Sequence, residues 1–390
     1  VQRLSPTLRH YDWGTTDDIP RLLGFEPDGS PYAEAWWGAH DSAPSWLSDP
    51  SGNAALDELI ARSPIDFLGP DAARRWGARL PFLLKILAIA KPLSIQVHPT
   101  LRQAQEGFAR EQRGTGGNVH AFLDPFHKPE MVVAISPMRV LVGVRDLANT
   151  AQDLHALDTP RAHALADDLE RADDAASFLA DVLSAGVDDE TFSSLRRMGA
   201  EAEPSSALRA AADALAAFPG DPGAIVALAL NVVELEPGEA VFTGAGILHS
   251  YQSGVGLEIM SNSDNVVRGG LTSKHVDVSL LLSLADTRPA PPVRPLEVIA
   301  GHARHLTVPA DEFALTLVRK GEAVVESGPR IVLCHEGEAT VTAHGTTKSL
   351  TRGQAVFVRA SLGEVTIGTS GLVVVARAPS LHEGDVIADR

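Results

Sequence analysis

Three side chains able to do chemistry stand at alternate positions in Lys-Pro-Leu-Ser-Ile-Gln-Val-His-Pro, residues 91–99. Ser94, Gln96 and His98 interleave with Leu93, Ile95 and Val97. An extended backbone would therefore send the apolar set into a core and the polar set onto the opposite face. Pro99 biases His98 away from the helical region, which makes neighbours of an imidazole and the Gln96 amide. A ring nitrogen and an amide oxygen on one stiff strand are half of a metal site. Taken alone, however, the nine residues fit an ordinary half-exposed strand better.

Further candidates lie downstream. In His127-Lys128-Pro129-Glu130-Met131-Val132-Val133, Pro129 stiffens the approach to Glu130, which stands at the entry to an apolar strand; Lys128 beside it reads by itself as half of a solvated pair. His249-Ser250-Tyr251 opens a stretch that runs to Lys274. There Asp264 and Asn265 suit a turn, Gly269-Gly270 lets the backbone approach a ligand, and Arg268 and Lys274 offer a forked and a point donor for a phosphate. Lys85 sits inside the apolar run at 81–87, where a cation needs a solvent-reaching stem or an anionic partner, a ligand phosphate being one. Trp13 could wall a pocket or cover a sheet edge. Gly114-Thr115-Gly116-Gly117 lacks the spaced third glycine and the preceding strand of a dinucleotide turn, so no nucleotide is inferred.

Positioning these groups requires a sizeable scaffold, and 390 residues with 44% hydrophobic content allow two or three compact units. Fifty acidic against 33 basic residues leave a net charge of -17, which argues against binding nucleic acid or an anionic membrane by bulk charge. No apolar run approaches the roughly 20 residues of a membrane span, and the first residues lack a secretory apolar segment, so a cytoplasmic protein is expected. The single cysteine, Cys334, lies in the apolar run 331–334; disulfides and thiolate metal cages are excluded, and a core role is expected.

Residues 1–50 read as irregular and aromatic, holding four of the five tryptophans and packing on a central sheet. Short helices are expected at 54–62 and 71–79, and a buried strand at 81–87. From 147 to 218 the composition turns to Ala, Leu, Asp and Arg, with Leu165, Leu169, Phe178, Leu179, Val182 and Leu183 at helical spacing. Strand signals resume at 224–233 and 241–242, and the proline-rich 288–295 reads as a linker. Residues 235–242 echo 350–357, a turn leading into the same short strand, which suggests two related β units. Only the first copy runs on to a histidine, His249; the second has Glu364. The expected organisation is a catalytic β unit of 1–146 plus 219–290, a helical insert of 147–218, and a C-terminal β unit of 291–390 without a metal site.

Taken in order, the segments at 91–99, 127–131 and 249–274 resemble the signature segments of type I mannose-6-phosphate isomerases. Those at 11–14, 31–40 and 83–86 resemble the same family's N-terminal segments, and the resemblance covers residues 1–290. It implies a mainly β fold: a cupin-like (jelly-roll) metal-binding barrel, an all-α insertion and a second, C-terminal barrel-like unit. It also implies one Zn²⁺ per chain, held by Gln96, His98, Glu130 and His249. Lys85, Ser94, His127, Lys128, Asp264, Arg268 and Lys274 would line a sugar-phosphate site with Trp13 and Tyr251 near its mouth, and Arg268, His127, Lys128 and Asp264 would be catalytic. The implied partner is a small sugar phosphate; a monomer is expected, with a homodimer as the alternative.

The implied ligand set is chemically consistent. Two imidazoles, one carboxylate and one amide oxygen suit zinc and leave net positive charge on it. Interconverting mannose 6-phosphate and fructose 6-phosphate moves a proton between C2 and C1 through an enediol(ate), which requires an open ring, a base and positive charge near the developing oxyanion. His127 is the expected base, with a metal-bound water as rival. Two other classes remain in view: a cupin oxygenase, whose iron would need the position Gln96 fills, and a silent sugar-phosphate sensor, which should have lost one of His98, Glu130, His249 or Arg268.

Overall fold

The computed structural model describes residues 1–49, 52–114 and 121–379; of the glycine-rich segment at 114–117, all but Gly114 lies outside them. Among the described residues the strands form two antiparallel sheets, of eleven and ten strands, and neither closes on itself. The chain is mainly β on a cupin-type architecture, with its longest run of helices between the strands Met138–Val144 and Leu230–Leu235.

The ten-stranded sheet is organised by one long strand, His249–Ser261, which changes partners along its length. Its first residues pair with Met138–Val144 and with Gln96–Val97, and its later ones with Phe82–Ile89 and Glu130–Ala134. The changeover falls at Gly254, where φ is 104° and a Cβ would come 2.5 Å from the Pro137 carbonyl oxygen, so only glycine fits. The internal echo has a structural counterpart. Gly238 and Gly353 both turn at positive φ, and each leads into a four-residue strand, Ala240–Thr243 or Ala355–Val358. A thirteen-residue strand follows each, His249–Ser261 or Val365–Arg377.

Residues 1–49 are more regular than the sequence suggests. They contribute the strands Gln2–Ser5, Thr7–Arg9, Glu34–Gly38 and Trp46–Asp49. Glu34–Gly38 is buried along its whole length, Trp36 and Trp37 included, so it lacks the alternation that marks a half-buried strand. Gln2–Ser5 pairs with Ala355–Val358, which puts the start of the chain in the same sheet as residues 296–377. The sheet boundary therefore does not follow the linker at 288–295. One apolar core joins the two sheets through Leu4, Trp37, Phe82, Phe313 and Phe357.

Five helices, Leu147–Ala156, Pro160–Arg171, Ala176–Ala185, Asp189–Glu201 and Ala207–Ala217, occupy the helical stretch. Asp146, Thr159, Asp188 and Ser206 cap four of them by accepting from a first-turn N–H. Leu165, Leu169, Phe178, Leu179 and Val182 are buried between them, and Leu183 packs alongside. The strand signal at 224–233 is half wrong: Gly223–Leu228 is a helix and the strand is Leu230–Leu235. A short apolar run buried on every side has no periodicity to separate the two. Cys334 is buried and unpaired, as a core residue should be. Among the described residues no helix is long and apolar enough to cross a membrane.

Candidate metal centre

The centre is built on one rung of strand pairing. Gln96 lies opposite His249 on one side and opposite Arg268, of the two-residue strand Val267–Arg268, on the other. Directly opposed residues of antiparallel strands project to the same face, so Arg268, Gln96 and His249 stand in a row. Of the strand expected at 91–99, only Gln96 and Val97 join a ladder; the flanking Pro92 and Pro99 have no N–H to give. The alternation nevertheless holds. Ile95 and Val97 belong to the core of the helical stretch, and Ser94 and Gln96 line a cavity of about 100 Å³. Gly270, at φ 124° and with its Cβ position 2.5 Å from the Gly223 Cα, lets the segment after Arg268 pack directly on a helix.

His98, Glu130 and His249 are all buried, with ligand atoms within 4.8 Å of one another. His98 Nε2 is 3.3 Å from one carboxylate oxygen of Glu130, and His249 Nε2 is 3.3 Å from the other. The second nitrogen of each ring meets a backbone carbonyl, Nδ1 of His98 that of Asn265 at 2.8 Å and Nδ1 of His249 that of Ile247 at 3.0 Å. A carbonyl only accepts, so Nδ1 of each ring carries a proton and donates, and Nε2 faces Glu130. Burial holds the His98 pKa down to about 4, so the ring is neutral near pH 7. His98 Nε2 is accordingly buried with no hydrogen bond. Gln96 donates its amide N–H to Ser94 Oγ at 3.1 Å, which leaves its oxygen as a free acceptor. Two imidazole nitrogens beside a carboxylate, with the Gln96 amide lining the same cavity, are an N/O donor set that suits a divalent cation such as zinc.

Two ion pairs flank these donors. Lys128 donates to Glu130 in a buried pair, not the solvated one its sequence suggested. Burial alone would raise the Glu130 pKa, but Lys128 and His98 outweigh it and hold the carboxylate well below its ordinary value. Opposite each other on neighbouring strands, Lys85 and Glu258 approach to 3.0 Å, with Glu34 at 4.0 Å from the same ammonium and the Trp36 ring 4.8 Å beneath it. The anionic partners of Lys85 are thus carboxylates of this chain. They raise its pKa against the opposing effect of burial, whereas burial raises that of Glu258 despite Lys85. Tyr251 presents a buried hydroxyl without a hydrogen bond, and burial with Glu258 and Glu130 nearby keeps it protonated.

Of the residues singled out from sequence, Lys85, Ser94, Gln96, Lys128, Glu130, His249 and Tyr251 share the cavity, and His98 closes on Glu130 behind it. Arg268 stands beside Gln96, half-buried, with no hydrogen bond or ion pair among the described residues; burial lowers its pKa. The remaining four lie elsewhere. Trp13 packs, as Leu93 does, against the cluster that contains Tyr251, and Lys274 is exposed. Asp264 pairs with His40 at 3.2 Å in a separate cleft. His127 turns away to Glu312 at 2.6 Å. Sequence reasoning missed Glu34, Glu258 and Asn265. Glu258 carried a usable signal, an acid between Leu257 and Ile259 in a buried strand, the counterpart of the misplaced cation Lys85.

Comparison with known proteins agrees with this geometry. Residues 1–147 match the family model for the catalytic domain of phosphomannose isomerase type I. The chain is 34% identical to mannose-6-phosphate isomerase of Escherichia coli K12, covering 95% of this chain and 98% of that one. It is 29% identical to mannose-6-phosphate isomerase 1 of Arabidopsis thaliana, over 97% of this chain and 93% of that one. A crystal structure of a phosphomannose isomerase variant from Salmonella typhimurium superposes with a TM-score of 0.90 at 29% identity, covering 97% and 99% of the two chains. A mannose 6-phosphate isomerase bound with zinc and yttrium superposes with a TM-score of 0.88 at 29% identity, with the same coverage. The chain belongs to the type I mannose-6-phosphate isomerase family.

Proposed function

We propose that this enzyme interconverts D-mannose 6-phosphate and D-fructose 6-phosphate, with one catalytic Zn²⁺ per chain held by Gln96, His98, Glu130 and His249. The observation that carries this reading is the pair of imidazoles whose Nδ1 atoms are tied to carbonyls while their Nε2 atoms converge on the Glu130 carboxylate. Two lysines and three glutamates line the cavity, a net charge of -1 if all are ionised, which a divalent ion converts to +1. That balance suits an anionic substrate and a developing oxyanion.

When bound, the ion supplies Lewis-acid charge to the sugar oxygens at C1 and C2. Glu258 is the base in this reading: it takes the proton from C2 and returns it to C1 through the enediol(ate), while the O2 hydroxyl proton passes to O1. Its support is a place in the cavity and a pKa that burial raises toward the working range. Lys85, 3.0 Å away, keeps the Glu258 carboxylate oriented and offsets its charge. The Tyr251 hydroxyl, whose pKa burial and the neighbouring Glu258 raise, donates to a sugar oxygen. Arg268 holds the phosphate or the oxyanion with its unengaged guanidinium. The geometry favours Glu258 over His127 as base because the His127 ring is engaged by Glu312 outside the cavity.

A coupled assay for fructose 6-phosphate formed from mannose 6-phosphate tests the proposal. Activity should fall when a chelator strips the protein and return when zinc is restored. Turnover indifferent to chelation would remove the metal from the mechanism, and no product from zinc-loaded protein would remove the reaction.

A further inference from the structure

A second group of metal-binding side chains lies on the helical stretch, outside the cavity. His155 is in the last turn of the helix Leu147–Ala156, and its Nε2 lies 3.1 Å from Glu170 Oε1 and 3.9 Å from Asp167 Oδ1, both on the next helix, Pro160–Arg171. The ligand atoms of these three residues fall within 4.8 Å of one another, as those of His98, Glu130 and His249 do. The His163 ring lies alongside, its centroid 5.4 Å from that of His155 and its Nε2 3.7 Å from Asp158 Oδ1. His163, Asp167 and Glu170 recur at the three- and four-residue spacing that places side chains on one helical face, while Ala162, Leu165, Ala166 and Leu169 bury the other.

Distance and donor type argue for an ion here. A zinc ion with bonds of about 2.0–2.2 Å in tetrahedral geometry separates two of its donors by roughly 3.4 Å. The two separations measured from His155 bracket that value, so small side-chain rotations suffice. An imidazole with carboxylates suits zinc, copper or nickel and not magnesium or calcium, which take oxygen alone.

We propose that His155, Asp167 and Glu170 form a second site for a divalent transition-metal ion that clamps these two helices together. It binds more weakly than the buried centre, because its side chains are 38%, 54% and 55% exposed and must be ordered out of water. Its effect falls on the stability of the helical stretch, since none of its donors reaches the cavity.

Equilibrium dialysis of the full chain against Zn²⁺, with bound metal counted by mass spectrometry, is the test. His155→Gln retains a polar contact at an exposed position and should bind one equivalent fewer than the unaltered protein, with unchanged turnover; Glu170→Gln should weaken that equivalent by about tenfold or more. Added zinc should raise the melting temperature of the zinc-loaded enzyme but not that of the His155→Gln variant. Equal stoichiometry in the unaltered protein and the His155→Gln variant would overturn the proposal. Because the readout is the difference between the two proteins, it holds whether or not the buried centre is the catalytic one.

Discussion

His127 Nε2 lies 2.6 Å from Glu312 Oε1, joining residues 185 apart in the chain across the two sheets. Glu312 is 5% exposed, and its other carboxylate oxygen is buried without a partner. This contact ties Glu312 to the segment that leads into Glu130, and the neighbouring Asp311 pairs with Arg75 of the helix Pro70–Trp76. Glu312→Ala should cost about 1–3 kcal/mol, read from urea unfolding, because it strips a part-buried ring nitrogen of its partner. Zinc-saturated turnover should change far less than stability.

The same contact separates two candidate bases. His127→Gln should leave kcat within about tenfold, whereas Glu258→Gln should lower it by about a hundredfold or more, the usual span for a positioned base. The reverse ranking, measured on zinc-saturated protein, would return the proton transfer to His127.

Burial of His98 predicts a pH dependence in metal-free protein. Its pKa is about 4 when folded, against 6.5 for an exposed imidazole. Between those values the unfolded chain binds a proton that the folded one does not, so stability rises with pH across this window and is lost as pH falls from 6.5 to 4. The difference is on the order of 3 kcal/mol. Urea midpoints of chelated protein at pH 7 and pH 4.5 should show it, and a His98→Asn variant should show a correspondingly smaller change.

Asn265 anchors the centre without touching the donors' free atoms. Its carbonyl takes the His98 Nδ1 proton, while its side chain bonds Leu123, Asp124 and Phe126, each at 2.7 Å. Asn265→Ala should lower zinc affinity by about 10–100-fold, measured by competition with a chromogenic chelator, with turnover largely recovered at saturating zinc.

The site was legible where a residue broke its own local pattern. A lysine inside an apolar strand and polar side chains alternating before a proline pointed to Lys85, Ser94, Gln96 and His98, and all but His98 line the cavity itself. Glu258 broke its pattern in the same way and was passed over. What local pattern cannot carry is the long-range partner. That Lys85 faces Glu258, that His127 faces Glu312 and that Asp264 faces His40 are decided by register and by the meeting of distant segments. The fold was read on the same terms. Helices with one polar face declared themselves, but Glu34–Gly38 and Gly223–Leu228, buried on all sides, show no period from which to tell strand from helix.

Anomalous diffraction at the zinc absorption edge, from crystals of protein loaded with one equivalent of zinc, addresses the coordination most directly. The account predicts a peak at bonding distance, about 2.0–2.3 Å, from Nε2 of His98 and His249, a Glu130 oxygen and the Gln96 amide oxygen. A peak at another place in the fully active enzyme, or one these four side chains do not reach, would contradict it.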